Sequence, residues 1–182
     1  MNGAPLLPQH GFPLRLVVPG WYGMASVKWL SRIEVIGEPF DGHQQAGTYV
    51  YRKNPDDPGT PVTTVRVKSL MVPPGLPDVY TRSRLVDKGP VLLFGRAWSG
   101  AGVAINKVEV AVDEQWLDAT LDPELGQYAW RGWSFQWQAS IGEHELMCRA
   151  TDSNGEIQPL EPRFDLAGFG NNAVQRLNVT VR

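Results

Sequence analysis

Cysteine occurs once in these 182 residues, at Cys148. That excludes an internal disulfide framework and any metal site assembled from several thiolates. An excess of either charge is lacking as well: 17 Lys and Arg stand against 19 Asp and Glu, a net charge of −2, with no basic stripe. Nucleic acid and acidic membrane surfaces are therefore excluded as main partners, because both are held by clustered Lys and Arg that displace counterions. No stretch approaches the roughly 18 apolar residues of a membrane-spanning helix. Met1 to Pro8 shows neither a charged n-region nor an apolar core, so no secretory signal is expected in these residues, whatever a longer parent carries. Amphipathic helices of three turns or more are missing too.

Catalytic constellations are equally sparse. The three histidines, His10, His43 and His144, are far apart in sequence and lack the short spacing of a zinc site. Asp113, Asp118, Asp122 and Glu124 cluster around a hairpin, but their spacing fits no calcium loop, and turn formation is the commoner role of Asp. There is no G-x-S-x-G elbow. No catalytic residue and no metal ligand is assigned.

What remains is a β-rich text. Hydrophobic residues make up 42% and charged ones 20%, the balance of a globular protein with a real core. From Val62 onward, short alternating runs such as VTTVRVKSLMV, PVLLFGRAWSG, INKVEVAVD and HELMCRATD are separated by turn signals such as PPG, SGAG and DSNGE. About seven strands at this spacing predict an all-β fold, an immunoglobulin-like antiparallel sandwich over 62–182. Strand alternation puts Val108, Val110 and Val112 in the core and turns Lys107, Glu109 and Ala111 away; Leu146, Cys148 and Ala150 line a second inward face. Cys148 is then buried, with its thiol pKa raised and its reactivity lost. His144 is expected to be solvated at a strand edge or turn. Trp130, Trp133 and Trp137 cannot all face one way, so they divide between core and surface.

The first 61 residues read differently. LRLVV and VKWLSRI suit short strands that normally pair inside a larger sheet, and a Pro, Gly and Asp-rich connection follows from Gly37 to Pro61, with one short strand at Thr48 to Tyr51. Left alone, such an arm folds back, pairs with a second copy, or moves more than the rest. His10, Arg15 and Lys28, with Gly23 and Ser26 between them, suit an anionic ligand: a guanidinium for bidentate contact, an ammonium, and small-residue backbone able to form an anion nest. The same cations also suit the solvated ends of exposed strands, and residues alone leave both readings open.

The run HGFPLRLVVPGWYGMASVKWLSRIEV resembles the H-G-[FY]-P-x-R and V-K-W stretch that ends the molybdenum-cofactor domain of the sulfite oxidase family. GRAWSGAGVAINKVEVAVDEQWLDATL, YAWRGWSFQW, MCRATDSNGEIQP and NNAVQRLNVTV are similar to the same family's immunoglobulin-like dimerisation domain. The resemblance implies a remnant of the molybdopterin-binding domain and linker over 1–61 as an extended arm, and a dimerisation domain over 62–182. It further implies that His10, Arg15, Ser26, Val27 and Lys28 contact molybdopterin through its phosphate and pterin edge.

Two departures accompany it. The family's molybdenum-ligating cysteine lies upstream of the H-G-F-P motif, and Cys148 on a sandwich strand is no substitute, so the cofactor itself is expected to be absent from this chain. Ala167, in FDLAGFGNN, stands where sulfite oxidases carry a substrate-side arginine, which puts sulfite as substrate in doubt and leaves other oxyanion or sulfoxide chemistry open. The leading expectation is a C-terminal portion of such an oxidoreductase, not catalytic alone, that forms a homodimer and belongs with a missing or separate cofactor domain. A twofold interface of the obligate kind should bury on the order of 2,000 Å² or more. The alternatives are a complete oxidoreductase subunit working with a partner chain, or a stand-alone β-sandwich module that binds sugar or protein through its Trp-rich strands.

Overall fold

The fold was analysed in a computed structural model that describes residues 3–182; Met1 and Asn2, the start of the expected arm, lie outside the described residues. The chain divides into two compact units. One runs to Val65 and also takes in Phe164–Asn171; the other comprises Arg66–Arg163 and Asn172–Arg182.

In the first unit, regular structure is short, and Pro and Gly lie close on either side of its apolar runs. Single 3-10 turns at Pro8–His10 and Gly23–Ala25 and a π-helical turn at His43–Thr48 precede two strands, β1 (Val50–Tyr51) and β2 (Thr60–Pro61), paired antiparallel with Val50 opposite Pro61. LRLVV and VKWLSRI are not the strands their alternation predicts: among the described residues, neither joins a ladder. Two backbone hydrogen bonds, Leu16 N–H to Val27 O and Leu30 N–H to Leu14 O, both 2.9 Å, hold them side by side in opposite directions.

The second unit is the sandwich. Its strands are β3 (Lys68–Met71), β4 (Leu76–Pro77), β5 (Arg84–Val86), β6 (Gly89–Trp98), β7 (Ile105–Val112), β8 (Gln115–Asp118), β9 (Thr120–Leu121), β10 (Arg131–Ala139), β11 (Gly142–Asp152) and β12 (Arg176–Val181). A four-stranded sheet has the order β3-β6-β10-β9 and a six-stranded sheet the order β4-β5-β12-β11-β7-β8. All neighbours are antiparallel except β5 and β12, which run parallel. The core between the sheets contains Leu93 and Trp133 from one side and Val108, Val110, Leu146, Cys148 and Val179 from the other. Removing one such side chain costs about 2–5 kcal/mol, since lost transfer energy and the cavity left behind add together.

The expected inward faces of β7 and β11 are seen at Val108, Val110, Leu146, Cys148 and Ala150, with Val112 packed against the same cluster. Ala111 points away from the main core as expected, yet it is fully buried, in a second cluster with Met147 and Val174 under Trp116. Alternation assigns a side, but only the neighbouring strands decide whether that side is dry. Trp133 and Trp137 are core, whereas Trp130 is exposed and stacks on Trp98 with ring centroids 4.5 Å apart.

Two local devices set this unit's shape. Gly95 lies opposite Trp133 on β10 and Met71 on β3, where an added Cβ would run into the Leu70 carbonyl and the Trp133 ring; the missing side chain lets the indole lie across β6. Past Asp118, the Ala119 N–H donates to Val108 O at 2.9 Å, and the next two residues join the opposite sheet as β9.

Candidate functional site

The five residues expected to meet a cofactor lie on, or just before, the two stretches that run side by side in the first unit. His10 ends the Pro8–His10 turn and is exposed. Gly11 follows at φ 109°, buried against Lys28: a Cβ there would come within 3.0 Å of the Lys28 Cβ and 3.1 Å of its Cα. The glycine of the H-G-F-P stretch therefore serves both a left-handed turn and a close backbone approach. From the other side, Lys28 Nζ donates to Gln9 O and Trp29 Nε1 to Pro8 O, each at 2.9 Å. The Trp29 backbone sits at φ 52°, which is unfavourable for so bulky a residue and is sustained by these bonds. Together they form a clasp that fixes the His10 turn on the Lys28 stretch.

Arg15 and Ser26 occupy the next rung. Arg15 sits between Leu14 and Leu16, whose backbones bond to Leu30 and Val27. Its Nε is buried and has no hydrogen-bond partner. The Ser26 hydroxyl accepts the Val18 N–H at 3.3 Å, closing the loop between the two stretches, and Val27 presents its side chain to solvent while its carbonyl bonds Leu16. The ammonium of Lys28 uses one of its three donors on Gln9 and lies 5.5 Å from the Trp29 ring centroid. The arrangement offers a guanidinium with an unpaired donor, an ammonium with spare donors and an exposed imidazole, all suited to an anionic or polar-edged ligand.

Sequence reasoning missed how the Ala167 stretch is built. The Asp165 carboxylate accepts the backbone N–H groups of Arg52 (2.8 Å), Ala167 (3.1 Å) and Phe169 (2.8 Å), and the Leu166 N–H returns to Arg52 O at 2.8 Å. Against the desolvation that raises it, these donors hold the Asp165 carboxyl below its usual range. An Asp two residues before Ala167 and three before Gly168 is the available signal, since Asp side chains fold back on following amides in turns. Ala167 is exposed at the crest. Phe169 packs on Tyr49 with centroids 5.4 Å apart, and the two help enclose an apolar cavity of about 260 Å³ with Tyr22, Met24, Val62 and Gly170.

The carboxylates and His144 resolve into pairs. Asp118 binds Lys107 at 2.9 Å, Asp122 faces Arg96 at 3.7 Å and Glu124 faces Arg131 at 3.5 Å; among the described residues, no cluster could hold a metal ion. His144 is not the solvated residue expected: its side chain is only 12% exposed and bonds Asp113. Cys148 is buried, and burial pushes its thiol up to about 11.

Comparison with known proteins follows this geometry. Residues 1–44 match the family model of the oxidoreductase molybdopterin binding domain, and residues 61–182 match that of the Mo-co oxidoreductase dimerisation domain. The mitochondrial sulfite oxidase of Macaca fascicularis is 35% identical over 199 residues, covering 100% of this chain and 35% of that protein. An NADH nitrate reductase of Phaseolus vulgaris is 30% identical over 207 residues, covering 99% of this chain and 23% of that protein. Among solved structures, the sulfane dehydrogenase SoxCD from Paracoccus pantotrophus superimposes with a TM-score of 0.83 at 27% identity, covering 100% of this chain and 49% of that one. The chain spans about a third of the length of the sulfite oxidases it matches.

Proposed function

Because this chain belongs to the sulfite oxidase family of molybdopterin-dependent oxidoreductases, as its C-terminal portion, we propose that its two segments divide two tasks. Residues 1–61, as the end of the molybdopterin-binding domain, provide a rim of cofactor contacts; residues 62–182 provide homodimerisation.

The observation that carries the first task is the buried, unpartnered Nε of Arg15 beside the Gly11–Lys28 clasp. An unpaired buried donor costs about 1–3 kcal/mol until it is satisfied, and a phosphate oxygen satisfies it with a charge-assisted bond. The residues present fit such a group: Arg15 and Lys28 would hold the phosphate of molybdopterin, and His10, Ser26 and Val27 its polar edge. When bound, the molybdenum cofactor supplies a two-electron redox centre. This chain's residues orient that group and exclude water from one side of it. Cys148, buried in the sandwich with its thiol pushed up, does not serve as the thiolate ligand, and we assign that ligand to polypeptide outside these 182 residues. The same polypeptide would cover Ile33, Val35, Ile36 and Phe40, all exposed, with Val35 97% accessible.

Ala167 supports a substrate that needs no guanidinium from the Asp165 loop. An oxyanion other than sulfite, or a sulfoxide, is the substrate class consistent with that crest. The likeness to SoxCD favours a second reading for the partner, a different subunit that completes the site.

The test is molybdopterin binding, followed by the fluorescence of the pterin on release, in protein containing this chain together with a cofactor domain of the family. Arg15→Ala is expected to weaken retention about 10-fold to 100-fold, the value of one charge-assisted bond. Val17→Ala, exposed on the same stretch, should leave it unchanged. Equal retention by the Arg15 variant and the parent would overturn the assignment.

A further inference from the structure

The loop that carries Ser26 and the loop that carries Ala167 both border the apolar cavity of about 260 Å³ in the first unit. Tyr22 and Met24 come from the passage between the two clasped stretches, which the Ser26 hydroxyl closes on the Val18 N–H, with Met24 in the Gly23–Ala25 turn. Phe169 and Gly170 stand just past Ala167. Backbone bonds seat these walls. The Tyr22 N–H donates to Thr63 O at 3.0 Å and the Val62 N–H to Tyr49 O at 2.9 Å, while Asp165 holds the Phe169 N–H at 2.8 Å. No occupant has to supply any of these bonds, so the cavity is preformed. Among the described residues, the six that line it are uncharged: three aromatic rings, the Met24 thioether, the buried Val62 and a glycine. An anion entering it would shed water without meeting a cation, whereas alkyl and aryl groups gain by leaving water and find an adaptable thioether to pack on.

Resting on the reading that this chain rims the cofactor beside the Ala167 crest, we propose that the cavity takes the uncharged alkyl or aryl body of the substrate. This narrows the substrate class to organic sulfoxides and sets inorganic oxyanions aside. Size agrees with that occupant. A dry cavity of about 150 Å³ accepts benzene, so this one has room for a ring with a short substituent, and too little for a segment of polypeptide larger than a single side chain. Position agrees as well, because whatever fills the cavity lies between the loop of Ser26, on the rim, and the loop of Ala167. The uncharged crest and the uncharged cavity are separate features of the chain, and both suit a neutral molecule.

The experiment is calorimetric titration of methyl phenyl sulfoxide into the full chain, and into the chain assembled with a cofactor domain of the family. Saturable binding by both is expected, with sulfite unable to displace the sulfoxide. Phe169→Ala removes a wall and should raise the dissociation constant about 10-fold. Met24→Glu places charge in the cavity and should raise it at least as far; its side chain takes no part in the backbone bonds of its turn, so it serves where the phenylalanine variant fails to fold. Val17→Ala, exposed on the first stretch, should bind as the parent does. Binding by neither protein, undiminished binding by both cavity variants, or displacement by sulfite would overturn the proposal. Binding by the chain that vanishes in the assembly would overturn it too, since a side chain of the cofactor domain would then be the occupant. The rim reading is judged apart, by pterin retention. A failed titration with Arg15-dependent retention intact removes the cavity's role alone, whereas retention indifferent to Arg15 overturns the rim reading and with it the cavity's link to a substrate, even where the sulfoxide binds.

Discussion

His144 Nδ1 lies 2.7 Å from Asp113 Oδ2, and its other ring nitrogen lies 2.9 Å from the Ser140 carbonyl oxygen. Both nitrogens face acceptors, a geometry that only the doubly protonated ring satisfies. Asp113 raises the pKa of His144 above 6.5, against a lowering by burial, with the Ser140 carbonyl helping; His144 in turn holds Asp113 below 3.8. The signs follow. The histidine's contribution is fully present below about pH 6.5 and is lost as pH rises through its raised value. The carboxylate's contribution is present above about pH 3.8 and is lost as pH falls through its lowered value. Thermal stability should therefore decline between pH 6 and pH 9 by about 1 kcal/mol or less, the range for a partly exposed pair. His144→Gln should flatten that slope, and a variant retaining the full slope would show that the titrating group lies elsewhere.

The hairpin between β7 and β8 turns at Asp113 and Glu114, with φ of 51° and 70°, both in the left-handed region that two-residue hairpin loops demand. Asp113 is retained there because its carboxylate also accepts the Glu145 N–H at 3.0 Å. Among the described residues, Glu114 has no side-chain hydrogen bond or ion pair, and Glu114→Gly should stabilise the chain by about 1 kcal/mol through relief of backbone strain. Denaturant melts of the two proteins check this.

Cys148 should resist alkylation in the folded protein. Its thiolate is scarce at neutral pH and the side chain is sealed between the sheets. Mass spectrometry after treatment with iodoacetamide should find it unmodified at pH 8 and fully modified in denaturant. Rapid labelling of native protein would mean that the sheets open on that timescale.

Gln158 ties four backbone groups inside the sandwich. Its Oε1 accepts Ser69 N–H at 2.7 Å and Ala150 N–H at 3.3 Å, while Nε2 donates to Ser69 O at 3.4 Å and Ala173 O at 3.3 Å. Gln158→Leu keeps the volume but strands those partners, each costing about 1–3 kcal/mol if left dry. A loss of about 2–4 kcal/mol in chemical denaturation is expected. A loss below about 0.5 kcal/mol would place water in their service.

Gly95→Ala should cost about 3 kcal/mol, because the added methyl meets a backbone carbonyl and the Trp133 ring, neither of which can yield cheaply. A melting temperature equal to that of the parent would refute that close approach.

The sandwich was readable wherever one face of a strand is dry and the other wet, as at Val108 and Val110 or Leu146, Cys148 and Ala150. Reading failed where the partner is distant or the setting irregular. β4 sits in PPGLP, which carries turn chemistry, and β5, three residues long, gains its place through parallel pairing of Arg84 with Val179, which no local pattern encodes. Ala111 faces away from the main core as alternation requires, but its burial was not legible, because it depends on Met147, Val174 and Trp116 closing over that side. The arm's apolar runs look like strands because side-chain type is visible in sequence and ladder partners are not. For the candidate site, the cations were visible as residue types, but the clasp that assembles them depends on Gly11 meeting Lys28, a contact between residues seventeen positions apart.

Ala119 has a wider effect than its size suggests. Because the chain changes sheets at that one residue, the outermost rows of both sheets belong to a single brief passage of polypeptide on this flank. Neither rim there presents a long template on which a stray extended segment could nucleate, and the sandwich is hemmed against fibrous growth along that side.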